Sequence, residues 1–160
     1  MQIRLARAEE LDAVMAIYAA ARQYMREQGN PTQWGTNHPP RELVERDIAR
    51  GCCHVCEDGD GICGVFYFAV EDDPIYRQIF EGAWKSDAPY AVIHRIAVGK
   101  HGKGVARACF DYAYAQHANI RIDTHRDNLP MQRALAKNGF SYCGIIYLEN
   151  GEERIAYQKV

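Results

Sequence analysis

The chain has 160 residues, 48% of them apolar and 25% charged, with 13 Gly and 6 Pro. That is the composition of one ordinary folded domain able to bury roughly two thirds of its unfolded surface, and it excludes a collagen-like, repetitive or disordered chain. The formal net charge of -2 excludes any bulk attraction to nucleic acid or to an anionic membrane.

Ile3 to Ala6 reads as a short strand, and Leu11, Val14, Met15, Tyr18 and Met25 then recur at the spacing of an amphipathic helix. Gly29 to Pro40 is a loop by its breakers, and Arg41 to Arg50 forms a second helix with Leu43, Val44 and Ile48 inward. Cys52 to Cys56 and Ile62 to Val70 flank the turn-rich Glu57-Asp58-Gly59-Asp60-Gly61 and predict an antiparallel hairpin. Asp73-Pro74 resembles a helix start, with Ile75, Ile79 and Phe80 on the apolar side of a short helix.

Tyr90 to Val98 is the next strand, and beyond a glycine-rich loop Val105, Ala108, Cys109 and Tyr112 repeat at helical spacing. Ile120 to Thr124 is a strand, Asn128 and Pro130 open a helix that stops at Asn138-Gly139, and two strands follow around the Asn150-Gly151 turn. The order β-α-α-β-β-(short α)-β-α-β-α-β-β predicts one α/β (α+β) domain over residues 1–160. Its mixed central sheet of about six to seven strands carries helices on both faces.

No apolar run approaches the ~18 residues of a membrane span, and Met1-Gln2-Ile3-Arg4-Leu5 has no signal-peptide core, so the expectation is a cytoplasmic protein with no membrane partner. Its six cysteines are then expected to be reduced. Cys52, His54 and Cys56 project to one face of their strand, but a closed zinc site takes two separated ligand pairs. Strand packing is the expectation there, and no metal is assigned.

Ile96-Ala97-Val98-Gly99-Lys100-His101-Gly102-Lys103-Gly104-Val105-Ala106 carries the most chemistry. Glycines between a strand and a helix let successive N–H groups converge at a positive helix end, which suits a phosphate or diphosphate, with Lys100 and Lys103 as mobile charge at the rim. A simple turn into a helix is the competing reading. A P-loop would need Ser or Thr where Gly104 stands, and a dinucleotide fingerprint would need a small residue where Arg107 stands.

His101 to Ala106 is similar to the Arg/Gln-x-x-Gly-x-Gly/Ala signature of the GNAT superfamily of acyl-CoA-dependent N-acetyltransferases. Asp123 to Asn128, Met131 and Lys137-Asn138-Gly139-Phe140 resemble the family's next strand and helix, and the Gln33-Trp34 loop resembles a bacterial branch. The resemblance implies a GNAT fold with acetyl-CoA as cosubstrate. Its arm would pair with Ile96, Ala97 and Val98 and its diphosphate would rest on His101, Gly102, Lys103, Gly104, Val105 and Ala106, with Asn128 on the arm and Arg133 and Lys137 near the adenosine. It also implies that Leu135 stands where many relatives carry a tyrosine that protonates the leaving thiolate.

The implied reaction is direct attack of an amine on the thioester in a ternary complex, which needs a base, an oxyanion donor and a leaving thiolate. His94 is the first candidate base, because strict strand alternation would place it on the face of Ile96 and Val98. Asp123, His125, Tyr142 and Tyr147 are further relay candidates, and Cys143 is the least unsuitable covalent nucleophile. Tyr24, Trp34 and Tyr76 are candidate contacts for a small-molecule or peptide amine. The partners expected are that acceptor, no nucleic acid, and a homodimer if the C-terminal hairpin exposes a strand edge. The alternative is a catalytically silent acyl-CoA-binding regulatory module, and a partner-binding scaffold is a third reading.

Overall fold

The computed structural model describes all residues, Met1–Val160. Seven strands form one sheet: β1 (Gln2–Leu5), β2 (Cys53–Asp58), β3 (Gly61–Val70), β4 (Ala91–Val98), β5 (Ile120–Thr124), β6 (Ser141–Tyr147) and β7 (Glu153–Lys159), in the order β1-β2-β3-β4-β5-β7-β6. Four helices, α1 (Leu11–Glu27), α2 (Arg41–Ala49), α3 (Val105–Gln116) and α4 (Leu129–Lys137), lie over it. The predicted element order is reproduced throughout.

Both sheet faces are covered, which is why β4 reads as a nearly continuous apolar run. On one face Phe66, Ile93, Ile96, Cys109, Phe110, Ile122, Leu135 and Phe140 form a single core. On the other, α1 and α2 bury Val14, Tyr18 and Val44 against Val55, Val65 and Ala97. A third cluster of Tyr67, Tyr76, Tyr90, Val92 and Ile146 fills the space beneath residues 71–90.

Two departures from regular pairing place the site. β4 and β5 are the only parallel neighbours, and their register holds at just Ala91↔Ile120 and Val92↔Arg121. Beyond those pairs the strands part, so the backbone of β4 from Ile93 onward has a neighbour on the β3 side alone. Second, the β3–β4 register shifts between Val65 and Tyr67, because β4 carries an extra residue, Arg95, at φ 50. This β-bulge inverts the alternation. Ile93 and Ile96 therefore share the α3 face although three positions separate them, and His94 lies on the opposite face, with Tyr67 and Tyr76. The expectation that His94 shares a face with Ile96 and Val98 is corrected on this ground.

The bulge is held from three sides. Tyr18 of α1 donates its hydroxyl to the Arg95 carbonyl at 2.9 Å, and the Arg95 guanidinium forks onto Asp47 of α2 at 3.0 Å on both oxygens. The Arg95 guanidinium also lies over the Tyr67 ring, 4.7 Å from its centroid.

The short helix expected after Asp73 is a single 3-10 turn, Pro74–Tyr76, capped by the Asp73 side chain. Phe80 leaves it to pair with Ile145 of β6, and Ala83 donates to the Cys143 carbonyl at 2.9 Å. A Cβ on Gly82 would stand 1.9 Å from that carbonyl, so only glycine permits the approach. The chain thus covers the C-terminal edge strand, and the free edge proposed for a homodimer is partly occupied by residues 80–83. No helix is long and apolar enough to cross a membrane.

Candidate active site

The glycine loop turns as the sequence requires. Gly102 and Gly104 take φ of 71 and 77, conformations that a side chain disfavours. Gly104 is the N-cap of α3, and the first helical donor is Ala108, bonded to the Gly104 carbonyl at 3.0 Å. The amides of His101 to Arg107 donate to no protein acceptor, so a row of free N–H groups faces outward at the positive end of a helix.

Lys100 does not stand free at this rim. Its Nζ lies 2.7 Å from Asp58 and 2.9 Å from Asp60, which pins the start of the loop to the β2–β3 turn and holds the ammonium pKa above its usual range. The His101 ring stacks on Tyr24 of α1 with centroids 3.8 Å apart.

A cleft of about 400 Å3 opens between this loop, the parted edge of β4 and α4. Of the residues assigned to the cofactor, Ile96, Ala97, Val98, His101, Gly102, Gly104, Val105, Ala106 and Asn128 line it. Lys103 and Arg133 are exposed and lie off its wall, whereas Arg107 and Lys137 are on it. Tyr24, expected at the acceptor, belongs to this cleft instead, because α1 leans over the loop. α4 contributes Pro130, Met131, Ala134 and Lys137, while Leu135 is fully buried in the core and points no group into the cleft.

A second cleft of about 570 Å3 lies on the His94 side, between the parted strands and the loop before α2. His94 Nε2 meets Asp73 Oδ2 at 2.7 Å, and Asp73 is oriented by the Ile75 amide at 3.1 Å. Burial alone would raise the Asp73 pKa, but the hydrogen bond and charge of His94 outweigh it and hold the carboxyl below its usual value. Tyr76 donates to Asp123 Oδ2 at 2.6 Å, and burial pushes the Asp123 carboxyl up. Tyr76 is fully buried and does not line the cleft, so its assignment as a substrate contact is corrected: it supports the wall from behind, through Asp123 and the His94 ring. Trp34 does line the cleft, although 92% of its surface is covered by neighbours such as Tyr18, which leaves it 8% exposed.

Residues 71–90, which bring in Asp73, are clamped from below. Arg121 is sandwiched between the rings of Trp84 and Tyr90, 4.1 and 4.0 Å from their centroids, and donates to the Ser86 carbonyl at 2.8 Å. Gln158 Oε1 accepts the Lys85 amide at 2.7 Å. On the opposite side, Gln33 Oε1 accepts from Asn128 Nδ2 at 3.0 Å, and Thr32 Oγ1 lies 3.4 Å from His125 Nε2. The loop before α2 is thereby strapped to the β5–α4 turn.

Met25, Ile96, Asn128 and Met131 line both clefts. The two spaces therefore meet at the bulge of β4, with His94 on one side and the open amides of the glycine loop on the other. Among the other relay candidates, Asp123 faces the second cleft and His125 serves the strap. Tyr142 and Tyr147 are exposed on β6 and line neither cleft, and neither does Cys143, which is buried with its Sγ bonded to the Ser141 carbonyl. Asp73, Arg95 and Arg154 were missed as site residues. Asp73 carried only the signal of a helix cap, and the two arginines sit in strands where nothing marks them as functional.

The fold recurs in known proteins. An acetyltransferase of the GNAT family from Streptococcus agalactiae is 32% identical, with 99% of this chain and 94% of that chain aligned at a TM-score of 0.91. A Staphylococcus aureus Mu50 protein assigned as an acetyltransferase is 27% identical over 99% of this chain and 98% of its own, at a TM-score of 0.71. A Salmonella typhimurium protein, solved with its cofactor acetyl-CoA, shares the fold at 15% identity and a TM-score of 0.65, over 98% of this chain and 91% of its own. No protein-family model and no curated protein sequence matches significantly. The chain belongs to the GNAT acetyltransferase family.

Proposed function

We propose that the protein transfers an acetyl group from acetyl-CoA to a primary amine by direct attack in a ternary complex. The observation that carries this reading is the meeting of the two clefts at Met25, Ile96, Asn128 and Met131. One cleft is built for an anion and an extended arm, the other for a proton-accepting polar group, and they share one point of contact.

On the cofactor side, the free amides of His101 to Arg107 receive the diphosphate, as a helix N-terminus does for any phosphate. The backbone of β4 beyond Ile93 lacks a β5 partner, so its open hydrogen-bonding groups pair with the amide groups of the cofactor arm as a missing strand would. An N–H at the bulge is then the oxyanion donor.

On the acceptor side, His94 takes the proton of the amine, and Asp73 holds the ring and stabilises the imidazolium that forms. No acid faces the thiolate from α4. A thiol of ordinary pKa near ~8.5 leaves as thiolate and is protonated from water.

The test is thiol release from acetyl-CoA across a panel of amines, with acetyl-CoA binding titrated in parallel. Amine-dependent release is expected, and His94→Ala should slow it by about 10²-fold or more while acetyl-CoA affinity is retained. Binding with no release for any amine would instead identify a silent acyl-CoA-binding module.

A further inference from the structure

The acceptor cleft is not a uniform trap for cations. Its wall carries the carboxylates of Asp73, Asp123 and Glu152, but also the guanidiniums of Arg95 and Arg154. Arg95 is consumed by its fork onto Asp47. Arg154 is not. Its side chain is 6% exposed, yet it donates only to the Glu153 carbonyl at 2.9 Å and to Glu152 Oε2 at 3.2 Å, and Glu152 is itself 54% exposed. A guanidinium has five N–H donors, so beyond these two bonds the remaining donors have no protein acceptor.

Thr124 also lines the cleft and its buried Oγ1 has no hydrogen-bond partner, but strand alternation turns it to the α3 face, away from Arg154. His38 also lines this cleft, and burial, then the charges of Arg95, Arg22 and Arg154, push its pKa down. Carboxylates stand in the same cleft, Asp73 on His94 and Asp123 on Tyr76. Ile75, Ile122 and Leu148 supply apolar wall.

The geometry points to an acceptor that carries a carboxylate as well as its amine, an amino acid with an apolar side chain, with Arg154 as the specificity-determining residue that receives the carboxylate. This rests on the acyl-transfer reading above and narrows it. A carboxylate meets the unused guanidinium donors of Arg154 through two parallel hydrogen bonds. A diamine or polyamine would bring a second ammonium against Arg154, and like charges at close quarters repel strongly.

The experiment compares matched acceptors with the intact protein: L-leucine, L-methionine and L-phenylalanine against their carboxamides and against 3-methylbutylamine, 3-(methylthio)propylamine and 2-phenylethylamine. The amino acids should exceed both sets in kcat/KM by at least about ten-fold, through KM. Arg154→Gln should bring that ratio close to one, and Arg154→Lys should recover part of it. The comparison on the unsubstituted protein stands even if Arg154→Gln does not fold. Equal or better use of the amines lacking a carboxylate overturns the proposal, as does a ratio unchanged in a folded Arg154→Gln, and as does acetyl-CoA binding with no amino acid acetylated. Failure to bind acetyl-CoA at all, seen before any acceptor is added, overturns the transfer reading itself.

Discussion

Asp73 and His94 are separated by twenty-one residues and come together at 2.7 Å, and nothing in their spacing along the chain announces the pair. His94 was legible as a titratable side chain just upstream of the loop. Its direction was not, because a single positive-φ residue, Arg95, reverses the alternation on which the sequence argument depends. Tyr24 and Tyr76 show the same limit: an aromatic residue in the right segment lines the glycine-loop cleft in one case and supports Asp123 from the core in the other. Charge pairs away from the site are equally hidden and can be tested alone. Arg4 donates to Glu10 at 2.9 and 2.7 Å and to Glu57 at 2.9 Å, tying the edge strand β1 to the start of α1. The hydrogen bonds from Arg4 lower the Glu10 carboxyl from 4.5 to about 2. A carboxyl depressed on folding stabilises the native state above its unfolded pKa and loses that contribution as pH falls through the folded one. Glu10→Gln should therefore cost about 1 kcal/mol at neutral pH, a figure scaled to a pair at the protein surface, and the deficit should vanish as the parent is titrated from above 4.5 down to about 2. Urea unfolding across that range checks it, and a deficit that persists at the acid end would contradict the assignment.

The glycine loop with α3 borders the first cleft and the strap before α2 borders the second, and each was visible to a different degree. Strand, loop and helix were readable because Gly102 and Gly104 sit where the backbone must turn left-handed and the apolar period changes from 2 to 3.6. A Cβ at Gly104 would meet only the end of Met1, 3.8 Å away, so the cost of substitution is conformational and not steric. Gly104→Val should lower stability by about 1–2 kcal/mol. It should weaken acetyl-CoA binding well beyond that loss, because the free amides would no longer converge, and calorimetric titration beside a denaturant melt separates the two effects. Unaltered affinity would remove the loop from the cofactor site. The strap reads in sequence as a breaker-rich loop with Trp34 as a candidate contact, and its attachment is hidden, since Gln33 and Thr32 gain meaning from Asn128 and His125, residues that a crossover later brings opposite them. The segment 71–90 behaves likewise, and its partners Arg121 and Gln158 are buried polar residues that strand patterning treats as exceptions.

For the whole molecule, the cleft is a wedge cut into an otherwise continuous sheet, held open because β4 and β5 share two paired positions and then diverge. A ligand that fills the wedge joins the two halves of the sheet and binds only the folded state. Acetyl-CoA at 100-fold over its dissociation constant should add about 2.7 kcal/mol. For a domain of this size that raises the melting temperature by roughly 5–10 °C. A thermal-shift titration reads this directly, and no shift at saturating acetyl-CoA would contradict a site in the wedge. Element order, the covered faces of the sheet and the anion loop were all decided locally, by apolar period, caps and glycines, which act over a few residues and so are written in the chain itself. The reversal at Arg95, the partner of His94, the occupied edge of β6 and the uneven charge of the acceptor cleft depend on which distant segments the sheet sets side by side. Such contacts are properties of packing and register, and only the tertiary structure decides them.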